Sequence, residues 1–167
     1  MKYKLFLLAL FTFVSCSDSN NKLIEKLKTT VETAEKSNES YTLVDFAQLT
    51  DFEWDTLYHF HQLDDKHYIS RQIGFKWDGA AVPNLSRRLL FVKDGKVVSY
   101  TDYELSELPI TLYGCAEDRW VYPRSRARFA TFKYCKGDEH SYPFIPVPCI
   151  ESFREMMGTV CPEPETK

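Results

Sequence analysis

The chain has 167 residues, 44% hydrophobic and 15% aromatic, with 21 Lys and Arg against 24 Asp and Glu for a net charge of −3. That aromatic content excludes a disordered tail, and the length bounds a single domain. The acidic balance argues against nonspecific binding to nucleic acid or to an anionic membrane surface.

Lys2 and Lys4 open the chain, Leu5 to Val14 run apolar except for Thr12, and Ser15 and Cys16 follow. The run is shorter than the roughly 20 apolar residues of a bilayer span and has the charge order of a secretion signal. Phe13-Val14-Ser15-Cys16 resembles the lipobox of bacterial lipoproteins, with Phe13 where leucine is commonest. The resemblance covers only the first 16 residues. It implies a signal peptide over residues 1–15, cleavage before Cys16, acylation of Cys16, and anchorage in a bacterial envelope membrane on its periplasmic or cell-surface face.

Residues 16–21 are polar and small, as a lipidated tether would be. From Lys22 to Lys36, Leu23, Ile24, Leu27, Val31 and Ala34 recur at helical spacing. The narrow stripe predicts an amphipathic helix that packs lightly on its own domain or stands as a semi-independent stalk, with a linker to residue 39. Residues 40–161 form the predicted disulfide-stapled domain, and 162–167 a flexible tail. The remaining cysteines, Cys115, Cys135, Cys149 and Cys161, are an even set in an exported chain and read as two disulfides. Of three connectivities, Cys115–Cys135 with Cys149–Cys161 is expected because each closes a local loop. Zinc is disfavoured, since no C-x-x-C or tight Cys/His spacing occurs.

Within the domain, Tyr41–Phe46 reads as a short strand and Trp54–Phe60 as a longer one. Asp64 or Asp65 caps a predicted helix over Lys66–Ile73 that stops at Gly74, and Phe75–Ser86 is an irregular loop. Leu89–Tyr100 is a predicted β-hairpin turning at Asp94-Gly95, with Val92 opposite Val97 and Phe91 opposite Val98. Leu90, Val92 and Val97 would share one face, and Leu89, Phe91, Val98 and Tyr100 the other. With both faces apolar, the hairpin belongs centrally in a sheet covered on both sides, with helices as the expected cover. Residues 101–118 hold five acids and no base, whereas 119–136 hold six bases and no acid. The two are expected to pair as a second hairpin around Pro123–Arg126, with Cys115 and Cys135 at its base. Gly137–Pro148 reads as a proline-rich loop, and Ile150–Met157 as a short helix stopped by Gly158. The fold class is α+β, an antiparallel sheet built from hairpins with a few short helices packed on it.

Candidate chemistry falls in two places. His59 and His61 are two apart on a predicted strand, so their side chains share a face about 7 Å apart at the backbone. They are candidate metal ligands, with His67, Asp64 or Asp65 to complete a set, in a metal-assisted hydrolase; the plainer alternative is an exposed polar strand face. Arg119, Trp120, Tyr122, Arg124, Arg126 and Arg128 interleave bases with aromatics and are candidates for recognising an anion, a glycan or an acidic protein face. Alternatively, these arginines neutralise the acidic segment across the hairpin. Trp54, Asp55, Tyr58 and Trp77 read as core and core-edge groups. No G-x-S-x-G elbow or glycine-rich phosphate loop occurs, and adjacent carboxylates such as Asp64/Asp65 and Glu117/Asp118 suit caps and turns. The expectation is a small envelope lipoprotein acting as a non-catalytic binding protein, either an accessory subunit or an inhibitor or immunity-type protein, with no cofactor.

Overall fold

The structure is a computed structural model that describes residues 17–36, 40–115, 118–153 and 161. The signal segment, Cys16 and residues 162–167 lie outside the described residues. Helix α1 (Ser17–Lys36) takes in residues 17–21, the stretch expected as a tether. Once Leu23, Leu27 and Val31 are seated in the core, adding N-terminal turns to an existing helix costs little. The docking is firm: Leu23 is 3%, Leu27 0% and Val31 6% exposed.

Strand β1 (Thr42–Asp45) leads into a single turn, α2 (Phe46–Leu49), where the Asp45 carboxylate accepts from Ala47 N at 2.9 Å. Strand β2 (Thr56–Phe60) precedes α3 (Lys66–Ile73), which Asp65 caps through Tyr68 N and Gly74 ends in the left-handed region at φ 82°. Strands β3 (Ser86–Lys93) and β4 (Lys96–Glu104) form the expected hairpin, with Asp94 and Gly95 both at positive φ as a type I′ turn requires. Val92 faces Val97, but Phe91 faces Ser99 and not Val98, because a β-bulge between Phe91 and Val92 skips one residue of β4. The slip moves Tyr100 to the other face, where it faces Leu90.

The remaining strands are β5 (Ile110–Leu112), β6 (Val121–Pro123), β7 (Arg128–Thr131), β8 (Tyr134–Lys136) and β9 (Glu139–Pro146). One sheet runs β4-β3-β2-β6 and is antiparallel throughout. The other runs β1-β7-β9-β5 with β8 also on β9, and it is antiparallel except for the parallel β5–β9 pair. The class is therefore α+β. The acidic and basic segments do not pair as a hairpin. Pro123–Arg126 is a turn, but its 3₁₀ piece (Arg124–Arg126) carries the chain from β6 in one sheet to β7 in the other.

Gly137–Pro148, expected as a loop, is mostly β9, a strand paired on both edges. Tyr142 N donates to Pro109 O and Tyr113 N donates to Phe144 O, so residues 142, 144 and 146 turn their backbone polar groups towards β5. Pro143 turns the other way, and there β7 and β8 are interrupted at residues 132–133 while keeping one register. Pro146 faces the space beyond the end of β5. Both prolines thus sit where no N–H is needed.

The same geometry corrects the disulfides. Cys115 follows β5 on one edge of β9 and Cys135 lies in β8 on the other, so the expected local pairing would have to cross that strand. Parallel β5 and β9 instead bring their C-terminal ends together, and Cys115 bonds Cys149 with Cα atoms 5.8 Å apart. Cys135 bonds Cys161, with Cα atoms 5.3 Å apart. After β9 the chain forms a kinked 3₁₀ stretch (Val147–Phe153); residues 154–157 of the expected last helix, and its expected stop at Gly158, lie outside the described residues.

The main core lies between the sheets. Phe46, Phe129, Phe144 and Tyr122 make edge-on contacts at centroid distances of 5.0–6.1 Å, with α1 closing the side. Trp54 joins this core at 1% exposure. A second cluster covers the opposite face of β2 and β3, where Phe60, Leu90 and Val92 meet Ile69 and Ile73 of α3 and Trp77 of the following loop. Helices therefore supply only part of the cover, and a second sheet and a loop supply the rest.

Arg88, 1% exposed, is buried beside that second cluster. It bonds Asp102 through Nε and Nη2 at 2.7 and 2.8 Å and the carbonyls of Ala80 and Ala81 at 2.7 and 3.3 Å. Removing one partner of a buried pair strands the other charge. Asp102→Ala is expected to cost about 3 kcal/mol in denaturant unfolding, whereas Asp78→Ala, which breaks an exposed pair with Lys76, costs about 0–1 kcal/mol. Equal losses in both variants would contradict the buried staple.

Candidate functional site

Strand β6 covers β2 only over Thr56–Tyr58, and beyond Tyr58 the edge of β2 is met by the Trp120 carbonyl, which accepts from His59 N, and by the Asp64 carboxylate, which accepts from His61 N. A pocket of about 240 Å³ lies there, with His59, His61, Tyr68, Gln72, Arg119 and Trp120 in its wall. It joins the two candidate groups of the sequence, which lie about sixty residues apart.

His59 is not on an exposed face. It is 4% exposed and on the core side of β2, because its cross-strand neighbour is Leu89 and the second sheet covers that face. Its Nε2 lies 3.0 Å from the Tyr103 hydroxyl, and its Nδ1 is buried without a partner. Burial first, then the neighbouring His61 and Arg87, lowers His59 to a pKa of about 3. His61 is also held below the ordinary histidine value, by burial and then by Arg87. The Tyr103 hydroxyl is pushed up by burial. Both rings are therefore neutral at pH 7. Among the described residues no group of three or more His, Cys, Asp or Glu is arranged to hold a metal ion.

The far wall is a loop in unusual backbone. Arg119 and Trp120 both have positive φ, 41° and 58°, which costs on the order of 1–3 kcal/mol per residue. Several bonds hold them there. Trp120 O accepts from His59 N at 3.1 Å, its indole N–H donates to Leu112 O at 3.1 Å, and Val121 N donates to Asp118 O at 2.7 Å. Asp118, 6% exposed, accepts from Cys115 N at 3.1 Å and pairs with Arg126, and the Cys115–Cys149 bond fixes the base. The result is an indole 46% exposed at the pocket mouth beside an exposed arginine with no ion-pair partner among the described residues.

The other candidates serve the fold. Tyr122 is 1% exposed and donates to Tyr113 O at 2.9 Å. Arg124 lies over the Trp54 ring at 5.2 Å and reaches Ala47 O. Arg128 pairs with Asp45 at 3.9 Å. Arg126 does neutralise an acid of the 101–118 segment, through the local turn and not across a hairpin. The sequence reading missed Tyr103 and Arg87. Arg87 faces Tyr103 across β3 and β4, and lies one step beyond the Phe60–Arg88 pair, which sets it beside His61. Only the bulged register could have revealed that row.

A histidine neutral when folded but titrating near 6.5 when unfolded takes up its proton preferentially in the unfolded chain. Stability is therefore full above about pH 6.5 and falls as pH drops towards about 3, by up to about 1.4 kcal/mol per pH unit for His59. His59→Gln should flatten the pH dependence of the unfolding free energy between pH 6.5 and 4, whatever it does to stability at pH 7. An unchanged slope would contradict a neutral buried ring. In comparisons with protein-family models, curated proteins and solved structures, nothing matches this chain.

Proposed function

We propose that the chain is a small bacterial envelope lipoprotein, held in a membrane by acylated Cys16, that acts as a non-catalytic binding protein with the Trp120 pocket as its contact site. One observation carries the reading. An exposed tryptophan and an arginine with no ion-pair partner among the described residues stand side by side on a strained loop that a disulfide, an ion pair and four hydrogen bonds hold in place. Rigid aromatic and arginine anchors at a concave site are what protein recognition uses, since little ordering entropy is lost on contact. The partner is an envelope protein, engaged either as the larger subunit of a complex or as an enzyme or toxin to be blocked. Two disulfides within the chain, each between distant segments, suit an exported scaffold that must keep one shape outside the cell. No observation favours the hydrolase reading, in which His59 would have to act from a buried position with Nε2 already engaged.

Two measurements test this. The intact mass of chain taken from its native membrane should equal residues 16–167 plus an acyl-glyceryl group, and should rise on reduction by the hydrogens of two disulfides. A benzophenone side chain placed at Tyr68, at the pocket rim, should give one discrete protein adduct in living cells. The same probe at Leu43, 53% exposed on β1, should give none. Adducts from Leu43 alone, or from both sites equally, would remove the pocket as the contact surface.

A further inference from the structure

We infer that the pocket beside β2, past the end of β6, is a carboxylate-binding site, which receives an aspartate or glutamate side chain or a chain-terminal carboxylate from the partner. The inference rests on the binding reading and adds the chemistry of what is bound. Three features of the geometry converge on it.

The first is the charge balance around one small volume. Arg119 lies in the wall, and Arg87, half-buried and outside the lining, is set beside His61 by the strand register; among the described residues it bonds Ser86 O at 3.4 Å. Neither has a carboxylate partner among the described residues, although the chain as a whole is acidic and Arg88, Arg126 and Arg128 each have one. Among the described residues the acid in the pocket wall is Asp64, which has an oxygen committed to the backbone N–H of His61 at 2.8 Å. With both histidines neutral, the positive charge in and beside the wall is carried, among the described residues, by Arg119 and Arg87.

The second is an unmet hydrogen-bonding capacity in the wall. His59 lines the pocket, is 96% buried by its 4% exposure, and has Nδ1 without a partner. A buried polar atom left unpaired is costly, and sites of this kind are satisfied by what binds them. Tyr103 decides the tautomer. Its hydroxyl is 3.0 Å from His59 Nε2 and 3.4 Å from Ile110 O. When the hydroxyl donates to Nε2, the ring proton resides on Nδ1, and a carboxylate oxygen can accept it.

The third is shape. The volume of about 240 Å³ accommodates one side chain or chain end and not an extended ligand. Trp120 at the rim covers the aliphatic stem of such a group while Arg119 meets its head, and a planar guanidinium suits a carboxylate by geometry as well as charge.

The test uses the mature chain in detergent, labelled with ¹⁵N-histidine, at pH 7 and constant ionic strength. N-acetyl-glutamate amide is the carboxylate probe, and inorganic phosphate and N-acetyl-glutamine amide are run in parallel. The expected result is a saturable shift of the His61 and His59 ring signals with the carboxylate probe and none with the glutamine probe. Arg119→Gln should weaken that response about tenfold, as expected for loss of a charged hydrogen bond, without moving the thermal midpoint. Arg128→Gln, away from the pocket, should leave it unchanged. Absence of a saturable shift, equal binding by Arg119→Gln, or saturation by phosphate alone would each overturn the carboxylate site. A Tyr68 adduct with no carboxylate response would sink this inference and leave the binding reading intact. Carboxylate binding without any adduct would do the reverse.

Discussion

A guanidinium buried to 1% exposure persists only when its N–H groups find acceptors, and the surroundings of Arg88 are built to supply them. The side chain makes four hydrogen bonds, two to Asp102 on β4 and two to carbonyls of the loop before β3. Its charged plane lies 4.6 Å from the centroid of Tyr100 and 5.8 Å from that of Trp77. Gly79 lets Trp77 come this close, since a Cβ there would fall 2.0 Å from the indole. Desolvation consumes most of the Coulomb energy of such a pair, so its contribution is one of specificity more than of stability. It ties β3, β4 and the covering loop into a single arrangement. It also fixes the bulged register, because an unbulged hairpin would set Arg88 opposite Thr101 and leave the charge without its acid.

That register reaches the pocket. With Arg88 opposite Asp102, the next pair outward is Arg87 with Tyr103, and His61 continues the row on β2. A slip of one residue would point Tyr103 into the second cluster and take away the hydroxyl that meets His59. The opposite wall has a separate origin. It hangs from Asp118 and from the end of β5, which the parallel pairing with β9 and the Cys115–Cys149 bond hold in place. One wall is therefore set by a buried ion pair in the antiparallel sheet, and the other by a disulfide in the mixed sheet. Both must form before the pocket exists.

These dependences explain what could be read from the sequence. The β3–β4 hairpin, the Asp65 cap, the Gly74 stop and the stripe of α1 were legible because each is written in a few neighbouring residues. Tyr100 was placed on the wrong face because a bulge leaves no mark in an alternating run. The local disulfide pairing failed for a topological reason: β9 looks like a loop by its prolines, and only its parallel partner shows that Cys115 and Cys135 lie on opposite edges. His59 read as polar and exposed because Asp55 and His61 share its alternation, whereas its burial is decided by a sheet formed from residues seventy positions later. The Arg119–Trp120 loop shows the same limit, since neither residue type signals positive φ.

The strain in that loop bears on binding directly. Two non-glycine residues in the left-handed region cost on the order of 1–3 kcal/mol each. The indole N–H bond to Leu112 O and the His59 N–H bond to Trp120 O hold Trp120 against that strain, and both arise from elements already fixed by the core. The ordering cost of presenting an aromatic and a cation at a rim is thus met during folding, so the contact site proposed above has little freedom left to lose. The neutral histidines fit the same logic. Holding His59 and His61 uncharged leaves the positive charge at the proposed site to Arg119 and Arg87, whose planar donors carry direction as well as charge.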